Sequence, residues 1–69
     1  MKKLVIFGSG EIARLAHFYF TTDSRSEVVA FTVDAAYLEA SSFCDLPVVP
    51  FEEVAQHYPS ENFDLFIAL

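Results

Sequence analysis

The chain has 69 residues, a net charge of −6 and a hydrophobic fraction of 54%, with eight phenylalanines and three tyrosines. The acidic balance argues against a nucleic acid partner because it repels phosphate backbones, and the single cysteine excludes an internal disulfide or a cysteine-based metal cluster. No apolar run approaches the length of a membrane span, and one unpaired cysteine suits a reducing compartment, so we expect a cytoplasmic chain that contacts no membrane.

The first predicted element is a strand at residues 4–7, LVIF, which ends at Gly8. A short apolar run bounded by glycine is typical of a buried parallel strand, and glycine at its end permits a sharp turn. The next residues, GSGEIA, match the pattern G-x-G-x-x-G/A through Gly8, Gly10 and Ala13. Between a strand and a helix, this pattern predicts that amides at the helix start bind an anion such as a nucleotide phosphate.

A helix is predicted over Glu11–Thr22, and a second strand is predicted over residues 27–34. Four residues of the helix recur at helical spacing and form the predicted apolar stripe, which Ala13 and Phe20 flank: Ile12, Leu15, Ala16 and Tyr19. The second strand, EVVAFTVD, is apolar on both faces and closes on Asp34. Strand, helix and strand in this order predict a right-handed crossover between two parallel strands.

The rest of the chain predicts a turn, two further strands and a second helix. A helical turn around residues 37–40 precedes a loop, and residues 46–49 form a short strand that Pro47 favours at a sheet edge. Pro50 opens the second helix and Pro59 ends it. The last strand is predicted over residues 63–69, FDLFIAL.

These elements predict an α/β fold. It is a Rossmann-like half with a parallel four-stranded sheet of order 3-2-1-4, flanked by helices. The apolar content exceeds what so small a sheet can bury, and the final apolar run ends without a turn, cap or polar tail. We therefore expect residues 1–69 to be a single domain, an excerpt from a longer chain.

Gly8, Ser9, Gly10 and Asp34 are the candidate binding residues. Asp34 lies 24 positions beyond Gly10, where an acid can accept hydrogen bonds from a ribose hydroxyl or a base edge. The alternatives are a glycine turn that serves only the fold and a solvated aspartate that starts a turn. Glu11 would repel a pyrophosphate bound at the helix start.

No catalytic set is predicted within these residues. His17 and His57 have no acid or cysteine at catalytic or ligand spacing. Cys44 lacks a basic neighbour that would activate its thiol. We therefore expect no catalytic residue and no metal ligand set in this domain.

Four segments of the chain resemble the N-terminal domain of bacterial sugar O- and N-acyltransferases, the family of sialic-acid O-acetyltransferases and bacillosamine N-acetyltransferases. The segments are MKKLVIFGSGEIARLAH, VVAFTVD, DLPVVPFEEV and FDLFIAL. The resemblance covers nearly the whole chain and rests on the order of these segments. The chain departs from the family pattern at residues 11–13, where members often carry a Gly-His-Gly-like sequence, and at Ala35, where a second acid is common.

The resemblance implies a Rossmann-like domain that holds a nucleotide-activated sugar and positions it for acetyl transfer. Gly8, Ser9 and Gly10 would face the phosphates, and Asp34 would hold the base or ribose. It also implies a C-terminal left-handed β-helix of hexapeptide repeats, which these residues do not include. That β-helix would bind acetyl-CoA, form a homotrimer and supply a histidine base.

Two other functions fit the same residues. The NAD(P)-binding domain of a dehydrogenase would also use the glycine pattern and Asp34. A ligand-free domain that serves only packing or oligomer contacts would explain the apolar surface. Hexapeptide repeats after Leu69 would favour the acyltransferase, and a second strand–helix–strand set would favour the dehydrogenase.

Overall fold

The computed structural model describes residues 2–8, 10–22 and 25–68, and shows a sheet with helices packed on it. Its elements in chain order are β1 (Lys2–Phe7), α1 (Glu11–Thr22), β2 (Ser26–Val33), β3 (Ser42–Phe43), β4 (Leu46–Pro50), α2 (Val54–His57) and β5 (Phe63–Ile67). Two 3₁₀ turns, Ala35–Tyr37 and Phe51–Glu53, follow β2 and β4. The predicted α/β class is confirmed, and α1 has the predicted bounds.

The sheet has five strands in the order β3-β4-β2-β1-β5. β4, β2, β1 and β5 pair in parallel, whereas β3 pairs antiparallel with β4. The predicted four-stranded, all-parallel sheet is therefore wrong: the sheet is mixed and has a fifth strand. The prediction that residues 46–49 lie at the sheet edge is also wrong, because β3 lies outside β4.

The additional strand exists because the chain reverses within two residues. Cys44 and Asp45 both have positive φ, 53° and 63°, and join β3 to β4 as a tight hairpin. This places Ser42 opposite Pro47 and Phe43 opposite Leu46. Asn-Gly or Asp-Gly is the usual sequence signal for such a turn, and Cys-Asp does not give it.

The main core lies between α1 and one face of the sheet. Phe31 and Ile6 are fully buried there, and Ala13 of α1 is 1% exposed. The Phe31 ring meets Phe43 edge-on at 4.9 Å between ring centres, and the ring of half-buried His17 lies 5.7 Å from that of Phe31. Complete burial of a phenylalanine stabilises the fold by about 2–3 kcal/mol, so Phe31 anchors this layer.

The predicted apolar stripe of α1 matches the face that packs on the sheet only in part. Ala13 and Ala16 are the buried residues of the helix, whereas Ile12, Leu15 and Tyr19 remain 52%, 67% and 62% exposed. Alanines let the helix approach β1 and β2 closely, and the larger side chains then point past the sheet. The apolar residues of α1 therefore cover a wider part of the helix surface than the part that packs on the sheet.

The second helix is shorter than predicted. Pro50 still belongs to β4, a 3₁₀ turn follows, and α2 has only four residues. This segment packs on the opposite face of the sheet through aromatic pairs, with Phe51 against Phe7 at 5.2 Å and Tyr58 against Phe63 at 5.1 Å between ring centres. Within the described part of the chain, no helix is long and apolar enough to cross a membrane.

Gly8 ends β1 in a position that only glycine fits. Its φ is +131°, and a Cβ built on it would lie 2.9 Å from the carbonyl oxygen of Ala68. The Gly8 amide donates to the Thr32 carbonyl at 2.9 Å, and the Ala68 amide donates to the Phe7 carbonyl at 2.9 Å. Gly8 therefore lies between the ends of β2 and β5, which explains its place in the sequence without any ligand.

We predict that Gly8→Ala lowers the free energy of unfolding by about 2–3 kcal/mol, because alanine is strained at this φ and its methyl group meets a backbone oxygen. Urea denaturation of the two proteins measures the difference. Gly10→Ala is the matched control and should unfold at the wild-type midpoint, since no heavy atom lies within 4 Å of its added Cβ. Equal midpoints for Gly8→Ala and wild type would contradict this account of the turn.

Candidate functional site

The structure brings Gly8 and Asp34 together at the carboxyl edge of the sheet. Phe7 lies opposite Thr32 in the β1–β2 register, and the Gly8 amide donates to the Thr32 carbonyl. Asp34 follows two residues later, one position beyond the end of β2 rather than as its last residue. Carboxyl ends of adjacent parallel strands are where open α/β sheets bind ligands.

Gly10 lies between this edge and the start of α1. Its carbonyl accepts the first hydrogen bond of the helix, from the Arg14 amide at 3.0 Å, so the amides of the first turn have no partner within the helix. Unlike Gly8, Gly10 has no positive φ and no neighbouring atom that would exclude a side chain. Neither backbone strain nor packing explains this glycine. Ser9 lies outside the described residues.

Asp34 is exposed and begins the 3₁₀ turn after β2. Its backbone carbonyl accepts a hydrogen bond from the Tyr37 amide at 2.8 Å, but its carboxylate does not cap the turn. A capping aspartate would have its side chain committed to the backbone. The Asp34 carboxylate therefore remains available at the sheet edge.

Glu52 holds the turn beside Asp34, a role that sequence reasoning missed. Its Oε1 accepts a hydrogen bond from the Ala35 amide at 3.1 Å. The contact arises because Val33 lies opposite Pro50 in the β2–β4 register, which places the residues after both strands side by side. The sequence predicted only a helix opened by Pro50 here, and no local pattern signals a contact across 17 residues.

A cavity of about 220 Å³ opens next to Asp34, between the end of β2 and the β3–β4 hairpin. Tyr37, 72% exposed, and Glu39 line it together with Phe43. The guanidinium of Arg14, from the first turn of α1, stacks over the Phe43 ring at 5.2 Å from its centre. Arg14 thus links Phe43 in the wall of this cavity to the first turn of α1.

The charges of the chain are unevenly placed. Lys2 and Lys3 open β1, and Arg25 precedes β2, so these three cations lie at the amino edge of the sheet. Arg14 is the cation near the carboxyl edge, where Glu11, Asp34, Glu39 and Glu52 also lie. An anion bound there would rely on Arg14 and on the helix amides to offset these carboxylates.

The other polar candidates do not assemble into a catalytic group. His57 faces Glu53 at 3.8 Å on exposed α2, His17 packs on Phe31, and Cys44 occupies the hairpin turn. In the described ranges, no three His, Cys, Asp or Glu side chains could together hold a metal ion. What the carboxyl edge offers is hydrogen bonding and charge, which suit binding.

None of the protein-family models, curated proteins or solved structures compared with the chain matches it. The functional argument therefore depends on the geometry of this edge and on the sequence.

We predict that Glu52→Ala speeds amide exchange at Ala35, because it removes the acceptor that holds this amide. The free energy of unfolding should fall by less than about 1 kcal/mol, since the bond is exposed. Hydrogen exchange followed by NMR measures the first effect, and denaturation measures the second.

Glu52→Gln is the matched control, because its side-chain oxygen can still accept the bond. Glu53→Ala, one residue along, should leave the exchange rate at Ala35 unchanged. An Ala35 amide that exchanges equally fast in wild type and Glu52→Ala would contradict the assigned contact.

Proposed function

We propose that this chain is the sugar-nucleotide-binding domain of a sugar O- or N-acetyltransferase, and that it positions a sugar hydroxyl or amine for acetyl transfer from acetyl-CoA. The observation that supports this best is Gly10. It is a glycine that neither strain nor packing requires, at the start of a helix and beside an aspartate whose carboxylate does not cap its own turn.

The phosphates of the nucleotide are proposed to bind at the glycine turn formed by Gly8, Ser9 and Gly10. The Ala68 carbonyl leaves no room for a side chain at residue 8, so the role of Gly8 is to shape the turn. Gly10 has open space beside it, through which a phosphate could reach the backbone. The first-turn amides of α1 would donate to the phosphate oxygens. Arg14 would supply the positive charge that offsets Glu11.

Asp34 is proposed to accept hydrogen bonds from the ribose or the base. Two features support this role. Asp34 follows the glycine turn at the spacing expected for a ribose-binding acid, and it lies just after the parallel strand that neighbours β1. The parallel strands β4, β2, β1 and β5 support a Rossmann-like half, to which β3 adds a short antiparallel edge. Glu52 would act as a positioning residue that holds the turn next to Asp34.

The chemistry of acetyl transfer is proposed from the family resemblance. A domain that fixes the sugar relative to the acyl donor lowers the barrier through orientation. The general base and the acetyl-CoA site would lie in a hexapeptide-repeat domain outside these residues, which would also form the homotrimer. We place the parent enzyme in the cytoplasm, in keeping with the single cysteine.

A ligand-free packing domain is the second candidate, and one observation favours it. The contacts of Gly8 account for that residue without a nucleotide, so the first glycine of the pattern no longer argues for binding. This candidate predicts that no nucleotide protects the chain against heat. A dehydrogenase-type domain predicts protection by NAD instead.

A thermal-shift titration with UDP, UDP-N-acetylglucosamine, CMP-sialic acid, NAD and acetyl-CoA separates these functions. A ligand that binds only the native state raises the unfolding midpoint. At a ligand concentration of 100 times its Kd, the free energy of unfolding increases by about 2.7 kcal/mol. We expect a rise with a sugar nucleotide. A rise with NAD alone, or with no nucleotide at all, would contradict the proposal.

The same titration of two variants assigns the binding residues. We expect Asp34→Ala and Gly10→Ala each to weaken binding of the active sugar nucleotide about tenfold or more, equivalent to about 1.4 kcal/mol, with the unliganded midpoint unchanged. Asp34 is exposed and Gly10 has space for a methyl group, so neither change disturbs the fold. Tyr19→Ala, distant from this edge, is the control and should bind as wild type does. Unchanged affinity in both Asp34→Ala and Gly10→Ala would exclude the assigned site.

A further inference from the structure

The cavity of about 220 Å³ beside Asp34 combines apolar and polar walls. Val33 of β2 and Val48 of β4, both buried in the main core, form its apolar side. The remaining lining residues come from the segment between these two strands: Tyr37, Glu39, Ala40, Ser42 and Phe43. Pockets that enclose a whole drug-sized ligand have roughly 300–1,000 Å³, so this cavity has room for only one part of a nucleotide.

Tyr37 presents an open aromatic ring at this cavity. Its side chain is 72% exposed, and its ring contacts no other ring or cation among the described residues. Phe43, the other ring of the lining, is already packed edge-on against Phe31 and lies under the Arg14 guanidinium. Tyrosine rings carry a large apolar surface that is usually covered. The uncovered ring of Tyr37 is therefore available to stack on a ligand.

Backbone hydrogen bonds fix the place from which the Tyr37 ring projects. The Tyr37 amide donates to the Asp34 carbonyl at 2.8 Å, and the Leu38 amide donates to the Ala35 carbonyl at 3.2 Å. The Ala35 amide in turn donates to Glu52 Oε1 at 3.1 Å. The turn that carries the ring is thus ordered before any ligand binds, which lowers the entropy cost of binding.

Charge decides which part of a nucleotide suits the cavity. Among the described residues that line it, Glu39 carries a negative charge and none is a cation. A phosphate there would be repelled, whereas Arg14 and the first-turn amides of α1 can receive it. Arg14 lies 5.2 Å from the centre of the Phe43 ring, so the two places adjoin. With the phosphates at α1, the planar and neutral base is the part that fits the cavity.

We propose that this cavity binds the base of the nucleotide and that the base stacks on the ring of Tyr37. This inference rests on the proposed function, because it assigns one part of the same ligand to a further residue. Stacking on an aromatic side chain tolerates any base, since every base has a π-face. Tyr37 therefore contributes affinity for the base without selecting among bases.

An NMR titration of the chain with UDP and with CMP tests the proposal. The ring current of a tyrosine moves protons that lie over its face upfield, so we expect upfield shifts of the base H5 and H6 protons in the nucleotide that binds. Nuclear Overhauser contacts should join these protons to the ring protons of Tyr37. Ribose 5-phosphate has no base and should bind wild type and Tyr37→Ala with the same Kd.

Three variants of Tyr37 separate stacking from mere bulk. Tyr37→Ala should raise the Kd of the nucleotide about tenfold, because the stacking surface is lost. Tyr37→Phe keeps the ring and should restore the Kd to within about twofold of wild type. Tyr37→Leu keeps apolar bulk without a π-face and should not restore it. Tyr19→Ala removes an exposed tyrosine ring from α1 and is the matched control, with an unchanged Kd expected.

The outcomes distinguish this inference from the proposed function. Wild-type affinity in Tyr37→Ala, no recovery in Tyr37→Phe, or a bound nucleotide without upfield base shifts would overturn the stacking role and leave the proposed function standing. Binding of neither UDP nor CMP would overturn both. If uridine binds with upfield base shifts and neither phosphates nor a sugar improve its Kd, the proposed function is overturned and the stacking role stands.

Discussion

The passage of the chain through Gly8 is the constraint on which the rest of the structure depends. β1 ends between β2 and β5. The amide of the next residue, Gly8, donates to the Thr32 carbonyl, and the side of Gly8 where a Cβ would project faces the Ala68 carbonyl. Only glycine allows both contacts at a φ of +131°. Since α1 begins three residues later, this turn also decides where the helix starts.

That turn produces the candidate site as a consequence of the fold. Once β1 and β2 are aligned through Gly8, Asp34 follows β2 at the same edge, and the start of α1 faces the same space. Glu52 reaches this edge from the neighbouring β4 and fixes the turn after Asp34. The site therefore combines one glycine that the fold requires with another, Gly10, that the fold does not explain.

Much of this arrangement could be predicted from the sequence, because strands and helices have distinct periods. The bounds of α1 and the placement of Asp34 at the carboxyl end of a parallel strand beside β1 follow from such patterns, although Asp34 lies one residue past β2 and not within it. The β3 strand could not be predicted, since Cys44 and Asp45 are unusual residues for a tight hairpin turn. The role of Glu52 could not be predicted either, because it depends on the pairing of β2 with β4. Ligand binding at Gly10 and Asp34 stays a prediction.

The helix pattern shows a further limit. Periodicity identified Ile12, Leu15, Ala16 and Tyr19 as apolar but could not say which of them faces the sheet. Alanine at two positions lets the helix pack closely, so the bulky residues lie outside. The chain consequently presents two distinct surfaces: a charge-rich carboxyl edge, and an apolar outer face of α1 formed by Ile12, Leu15 and Tyr19.

Backbone amide shifts in an NMR titration with UDP-N-acetylglucosamine would test the central claim most directly, because they show where a ligand touches the chain. The account predicts shifts concentrated at the amides of residues 10–12 and 34–37, which border the glycine turn and the Asp34 turn. Uridine, which lacks the diphosphate, should move the second group more than the first. An absence of shifts at residues 10–12, or shifts confined to the exposed apolar residues of α1, would contradict the claim that the carboxyl edge binds a sugar nucleotide.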